Sequence, residues 1–168
     1  KWRATSSDVS IVDTKAAHGK YSAKVRLRKG LSGGAVRTHQ NQKVMEGLPL
    51  HGRMYFFLDR SHDDLLHDWL FRAGTNPNVE IGGQFNGWLI APLSSIAGGR
   101  QGTFPAKKWV CMQWEVTSAG GSVTIKLSLD GKPTAMGTAA GTITSLDPVQ
   151  VGMVTFHPEA IKDEFDFY

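Results

Sequence analysis

The residues of this chain that could do chemistry lie on alternating positions rather than in compact motifs. Arg53 and Tyr55 share a parity, as do Arg37 and His39, His67 and Trp69, and Glu80 and Gln84. Gln113 falls with Cys111 and Glu115. Such a mixture suits sugars. Aromatic rings stack on the apolar faces of pyranose rings, while planar amide and guanidinium groups satisfy hydroxyls and carboxylates in pairs. If the strands that carry these side chains are neighbours, the whole set lines one face of a sheet. The competing reading is that polar residues alternate on any sheet face that meets water.

Other chemistries find little support. The six histidines, His18, His39, His51, His62, His67 and His157, form neither an HxH nor an HExxH pattern, so a zinc enzyme is not expected. There is no GxSxG. The single cysteine, Cys111, sits mid-strand among apolar neighbours and reads as an inert, half-buried thiol. Glu80 and Glu115 are the acids well inside strands, and nothing in the sequence pairs them for glycoside hydrolysis. The net charge is +4, which suits either an acidic partner or plain solubility. One basic cluster, Lys24-Arg26-Arg28-Lys29, falls on the polar parity of a strand. With no helix-turn-helix, zinc finger or RNP-like sequence, nucleic acid is not an expected partner. No apolar run approaches the roughly 20 residues of a membrane helix, so no membrane partner is expected either.

The elements that must position these residues are strands. Tyr21 to Arg28, Arg53 to Leu58, Trp109 to Val116 and Val123 to Leu129 all alternate with a period of two. Met54, Phe56 and Leu58 fall on one face, and so do Val110, Met112, Trp114 and Val116. Asp130-Gly131 signals a tight hairpin. Val149 to Phe156 is a further strand, and weaker candidates are Val9 to Asp13, Gly34 to His39, His67 to Arg72 and Val79 to Phe85. A short helix is expected over Ser61 to Leu66. The 19 glycines of the 168 residues punctuate strands, with Gly-Gly at 33–34, 82–83, 98–99 and 120–121. Short strands about every 10 residues predict an all-β sandwich or barrel, in one domain spanning 1–168 whose ends read as trimmed.

Several segments, in this order, resemble one family. Val12-Asp13-Thr14 followed by His18-Gly19-Lys20-Tyr21-Ser22-Ala23-Lys24-Val25 resembles the opening of secreted concanavalin A-like jelly rolls. His51-Gly52-Arg53-Met54-Tyr55 resembles the "WGRMY" strand of one branch. His67 to Ala73, Ile81-Gly82-Gly83-Gln84, Trp109 to Trp114 and Leu129-Asp130-Gly131 resemble its "HWTLIEA", "GGQ", "WTCLEW" and "WLDG" segments. That branch is similar to the cellulose-induced secreted proteins of fungi and bacteria and, more distantly, to family 20 polysaccharide lyases, the glucuronan lyases. Gln113 stands where the pattern has Glu.

The resemblance implies a two-sheet antiparallel β-sandwich, a concanavalin A-like β-jelly roll, whose concave face holds an acidic polysaccharide, on a secreted protein; a monomer is expected. It also implies a structural calcium, for which no ligand can be named here. A lyase of this kind abstracts the C5 proton of a uronate and expels the 4-O-linked sugar. On that reading Arg53 with Gln84 neutralises the carboxylate, His67 or His39 is the base, and Tyr55 returns the proton. Arg37, His39, Trp69, Glu80 and Gln113 would then contact the substrate. Two alternatives stay open: a carbohydrate-binding module without chemistry, and a structural or adhesion domain.

Overall fold

In the computed structural model the described residues are 2–38, 48–61, 67–75, 77–97, 101–143 and 145–168. They form thirteen strands: β1 (Trp2–Ala4), β2 (Val9–Val12), β3 (Ser22–Leu27), β4 (Gly33–Thr38), β5 (Leu50–Phe57), β6 (Asp68–Ala73), β7 (Val79–Gln84), β8 (Gly87–Ala91), β9 (Trp109–Ala119), β10 (Ser122–Leu129), β11 (Lys132–Ala140), β12 (Val149–Thr155) and β13 (Phe165–Phe167). Among the described residues the helical segments are two single 3₁₀ turns, at Pro92–Ser94 and Pro158–Ala160. None is long and apolar enough to cross a membrane. Beyond Ser61, the segment expected to be helical lies outside the described residues, as does His39.

All strand pairs are antiparallel. The back sheet has six strands in the order β1-β4-β12-β6-β7-β8. The front sheet runs β11-β10-β9-β5, and β13-β3-β2 continues it. Phe57 and Tyr168 exchange both backbone hydrogen bonds at 2.8 and 2.9 Å, and Leu58 bridges to Phe167. These two links join only the C-terminal end of β5 to β13. The expected two-sheet β-sandwich is therefore what the chain forms.

Alternation sets which side chains enter the interior. Phe56, Leu58, Val110, Met112, Trp114, Val116, Val123, Ile125 and Leu127 are buried from the front sheet. Phe71, Val79, Ile81, Trp88 and Ile90 meet them from the back sheet. Phe71 and Trp114 join the layers, with ring centroids 4.5 Å apart. Phe56 stacks with Phe167 at 6.0 Å and lies 6.1 Å from Trp88. Each such side chain contributes about 1.5–3 kcal/mol by leaving water.

Two-residue turns fix the register. Asp130 (φ 50°) and Gly131 (φ 78°) turn β10 into β11, with Leu129 opposite Lys132. Positive φ at both central residues is the type I′ geometry that matches strand twist. The Asp130 carboxylate also accepts from the Cys111 amide at 2.9 Å. Gly120-Gly121 turns β9 into β10 in the same way. Gly82-Gly83 is different, because it lies inside β7 rather than at a strand end. A Cβ on Gly82 would sit 1.7 Å from the Asp68 carbonyl oxygen, where β6 carries a bulge between Trp69 and Phe71.

Three members of the basic cluster on and just after β3 are paired. Lys24 and Arg26 reach Asp166 of β13 at 2.6 and 3.2 Å, and Arg28 reaches Asp8 at 3.0 Å. Burial pushes the Asp166 carboxyl upward, but the two cations more than offset it and hold it below its usual range. These charges tie β13 and the β2 end to β3.

Candidate functional site

The outer face of the front sheet carries a ladder of three rows. His51 on β5 lies opposite Glu115 on β9, which lies opposite Lys126 on β10. Arg53 lies opposite Gln113, which lies opposite Ser128. Tyr55 lies opposite Cys111. The alternation that buries Phe56, Met112 and Leu127 forces these partners outward. His51, Gln113, Glu115, Lys126 and Ser128 line a groove of about 310 Å³.

Electrostatics separates the members of this ladder. Lys126 Nζ and Glu115 Oε2 are 3.1 Å apart and neutralise each other. Arg53 is exposed and makes no ion pair among the described residues. Gln113, half-buried beside it, offers both an amide donor and an acceptor. An exposed guanidinium next to a planar amide is a fork for a carboxylate or a vicinal diol. Gly52 lies between His51 and Arg53 with its hydrogen turned inward. A Cβ there would be 2.1 Å from the Trp114 ring.

Beside the ladder, a cleft of about 260 Å³ opens between the C-terminal half of β5 and the β2–β3 pair. Its rim is aromatic: His18, Tyr21, Tyr55, Trp109 and Tyr168. His18 meets Tyr55 edge-on, with ring centroids 4.6 Å apart. Close by, the Lys15 ammonium sits 3.6 Å from the centre of the Phe57 ring and 5.1 Å from that of Tyr168.

The residues singled out in the sequence do not form one site. Arg53, Tyr55 and Gln113 come together on the front face. Arg37, Trp69, Glu80 and Gln84 belong to β4, β6 and β7 of the back sheet, with His67 just before β6. The expectation of a single lining set is corrected here, since parity says which side of a sheet a residue faces but not which sheet its strand joins. It follows that Arg53 and Tyr55 cannot share one reaction centre with Gln84, whose strand lies across the core.

On the back sheet the same residue types do structural work. Arg72 Nε and Glu80 Oε1 are 3.0 Å apart, and Glu80 is 7% exposed. Asn78 joins them: with its amide turned to satisfy both ends, its oxygen accepts from Arg72 Nε at 2.9 Å. Burial pushes the Glu80 carboxyl up, and Arg72 only partly opposes this. Trp69 is 4% exposed and pairs with Gly82 and Val154. Arg37 is exposed and lies opposite Arg3 and Gln150. His67 is half-buried against Phe156, centroids 4.5 Å apart. Burial lowers its pKa, Asp68 raises it, and His157 lowers it further.

Among the described residues no three His, Cys, Asp or Glu side chains converge as metal ligands would. The calcium implied by the resemblance therefore gains no residues, and no step below runs through it.

His51 and Trp109 were legible on the parities of Arg53 and Gln113 but carried no distinctive spacing. His18, Tyr21 and Tyr168 carried no local signal, because the cleft forms where residues 17–25 and the last strand meet β5.

No protein-family model matches the chain, and no curated protein matches it in sequence. Solved structures do resemble it. The binding domain of botulinum neurotoxin DC, in complex with SialylT, matches with a TM-score of 0.63 and 13% identity over 99% of this chain. This chain spans 40% of that structure's length. Domain 4 of an extracellular GH43 arabinanase from Geobacillus stearothermophilus, in complex with arabinotriose, gives a TM-score of 0.58 and 15% identity. That match covers 99% of this chain and 81% of the other. An alginate lyase gives a TM-score of 0.53 and 10% identity, covering 90% of this chain and 79% of its own. At these identities the likeness speaks to architecture alone: the chain is an antiparallel β-sandwich of jelly-roll type.

Proposed function

We propose that the outer face of the front sheet binds a polysaccharide bearing carboxylates. The observation that carries this reading is Arg53, exposed beside Gln113 and without an ion partner among the described residues. An arginine left open beside a groove whose own cation, Lys126, is already neutralised favours an anionic ligand group. Tyr55 on the same strand supplies a ring face for the sugar. That a sialylated ligand and arabinotriose occupy two structures of this fold supports a glycan as the ligand class. Such a ligand fits a secreted, monomeric module.

Affinity electrophoresis tests this. The protein is run through gels holding a soluble uronan or a neutral glucan. Retardation in the uronan gel, lost in Arg53→Ala, is expected. Equal mobility of wild type and Arg53→Ala in every gel would remove the proposal.

A second reading, β-elimination on a uronate, is favoured by the His18–Tyr55 contact two residues along β5 from Arg53. Arg53 and Gln113 would neutralise the carboxylate, which acidifies the C5 proton. The imidazole of His18 would take that proton, and the Tyr55 hydroxyl would protonate the departing O4 as the C4–C5 double bond forms. Ultraviolet absorbance of the conjugated product distinguishes this from binding alone: it appears with time for a lyase and never for a module.

A further inference from the structure

The cleft beside the ladder has a chemistry of its own. Its floor is made by Val25, Val36, Met54, Val151 and Phe167, and among the described residues its lining holds no Lys, Arg, Asp or Glu; the nearby ammonium groups of Lys15, Lys24 and Lys20 sit over rim rings, at 5.1 and 5.8 Å from the Tyr168 centre and 5.2 Å from that of Tyr21. A hydroxylated sugar ring seated there would leave its hydroxyls facing aliphatic carbon, at about 1–3 kcal/mol for each one unpaired. A charged group would fare worse. The volume of 260 Å³ exceeds the roughly 150 Å³ of an apolar cavity that holds benzene. It falls below the range of about 300–1,000 Å³ typical for drug-sized ligands. The rim is ring upon ring: Tyr21, Tyr55, Trp109 and Tyr168, with His18 braced edge-on against Tyr55. Tyr21 is 59% exposed and stands over the opening.

We propose that this cleft is a binding site for one uncharged aromatic ring with small substituents, of the phenol or aryl-ester class. The ring enters edge-first onto Met54 and the valines, stacks with the rim, and leaves any polar substituent outward near the tyrosine hydroxyls. The site stands beside the proposed glycan face, shares Tyr55 with it, and does not depend on Arg53. The ring could arrive as a free phenol or as an ester substituent on a glycan, and both present the same chemistry to the cleft.

Methyl ferulate, a neutral phenolic ester, is the probe. It is titrated into the whole chain labelled at its methionine methyls, while the five methyl resonances are followed by NMR. Saturable binding is expected, with an upfield ring-current shift largest at Met54. Tyr21→Ala should weaken binding roughly 2- to 10-fold, the worth of one aromatic pair, and being a rim change it leaves the fold intact. Arg53→Ala should leave this affinity unchanged while weakening uronan binding about 10- to 100-fold, so the two proposals fail separately. Comparison with a feruloyl-substituted oligosaccharide identifies the source. Tighter binding of the oligosaccharide than of methyl ferulate assigns the ring to a glycan substituent, and equal binding assigns it to a free phenol. The site is overturned if no saturable Met54 shift occurs in folded protein, or if Tyr21→Ala binds as wild type does.

Discussion

The two outer faces of the sandwich use the same residue types for opposite ends. On the back sheet Arg72 is closed onto Glu80 at 3.0 Å, Trp69 is buried, and β6 presses onto Gly82. On the front sheet Arg53 stands exposed beside a half-buried glutamine, and Tyr55 rims a cleft. An arginine, an aromatic residue and a glycine on the strands of one sheet are therefore no signature in themselves. What separates a wall from a binding face is whether the charge has already found its partner.

The comparison is broken most severely at its glycines. Gly82→Ala sets a methyl against Asp68 and Trp69 backbone atoms, which cannot swing away. A loss of about 3 kcal/mol, at the upper end for overpacking, is expected in denaturant unfolding. The three atoms nearest a Cβ on Gly52 all belong to the Trp114 ring, and a side chain gives more readily than backbone, so about 1–2 kcal/mol is expected there. If the two variants lose equal stability, the contrast between a backbone clash and a ring clash is wrong.

Next come the arginine partners. Glu80→Ala leaves the partly buried Arg72 without its carboxylate and should cost about 2–3 kcal/mol, less than the full range for a buried pair because the guanidinium keeps some water. Arg53→Ala breaks no ion pair among the described residues and should leave the melting temperature within about a degree of wild type, as surface changes do. It should weaken uronan binding about 10- to 100-fold, the worth of a hydrogen bond to a charged group.

The smallest effect is a pH dependence. The folded-state pKa of His67 lies below its ordinary 6.5, chiefly through burial. The unfolded chain therefore binds the proton more readily, and stability falls as pH drops from about 6.5 through the lowered folded value. His67→Gln should flatten that part of the stability–pH curve. An unchanged slope in the variant would assign the effect to another group.

Much of the fold was legible because strand alternation and turn chemistry are local. The faces of β5, β9 and β10 and the Asp130-Gly131 turn follow from residues within a few positions of one another. β8 was harder: Gly87–Ala91 is buried throughout, so it shows no alternation. β13 is only three residues long and gains its place through pairing with β3 and the end of β5. The candidate site was legible in kind but not in place. Arg53, Tyr55 and Gln113 are brought together because β5 pairs with β9, whereas Arg37 and Glu80 are carried to the other sheet by crossovers that no local pattern encodes. His18 and Tyr168 reach the cleft from sequence positions 150 residues apart, a closure that spacing cannot show.

The most direct test sets the faces against each other with one arginine from each. Wild type, Arg53→Ala and Arg37→Ala are run side by side in a uronan gel. The account predicts that wild type and Arg37→Ala are retarded alike while Arg53→Ala runs as it does in a gel without polysaccharide. Loss of retardation in Arg37→Ala with Arg53→Ala unaffected would place the ligand on the back sheet and contradict it.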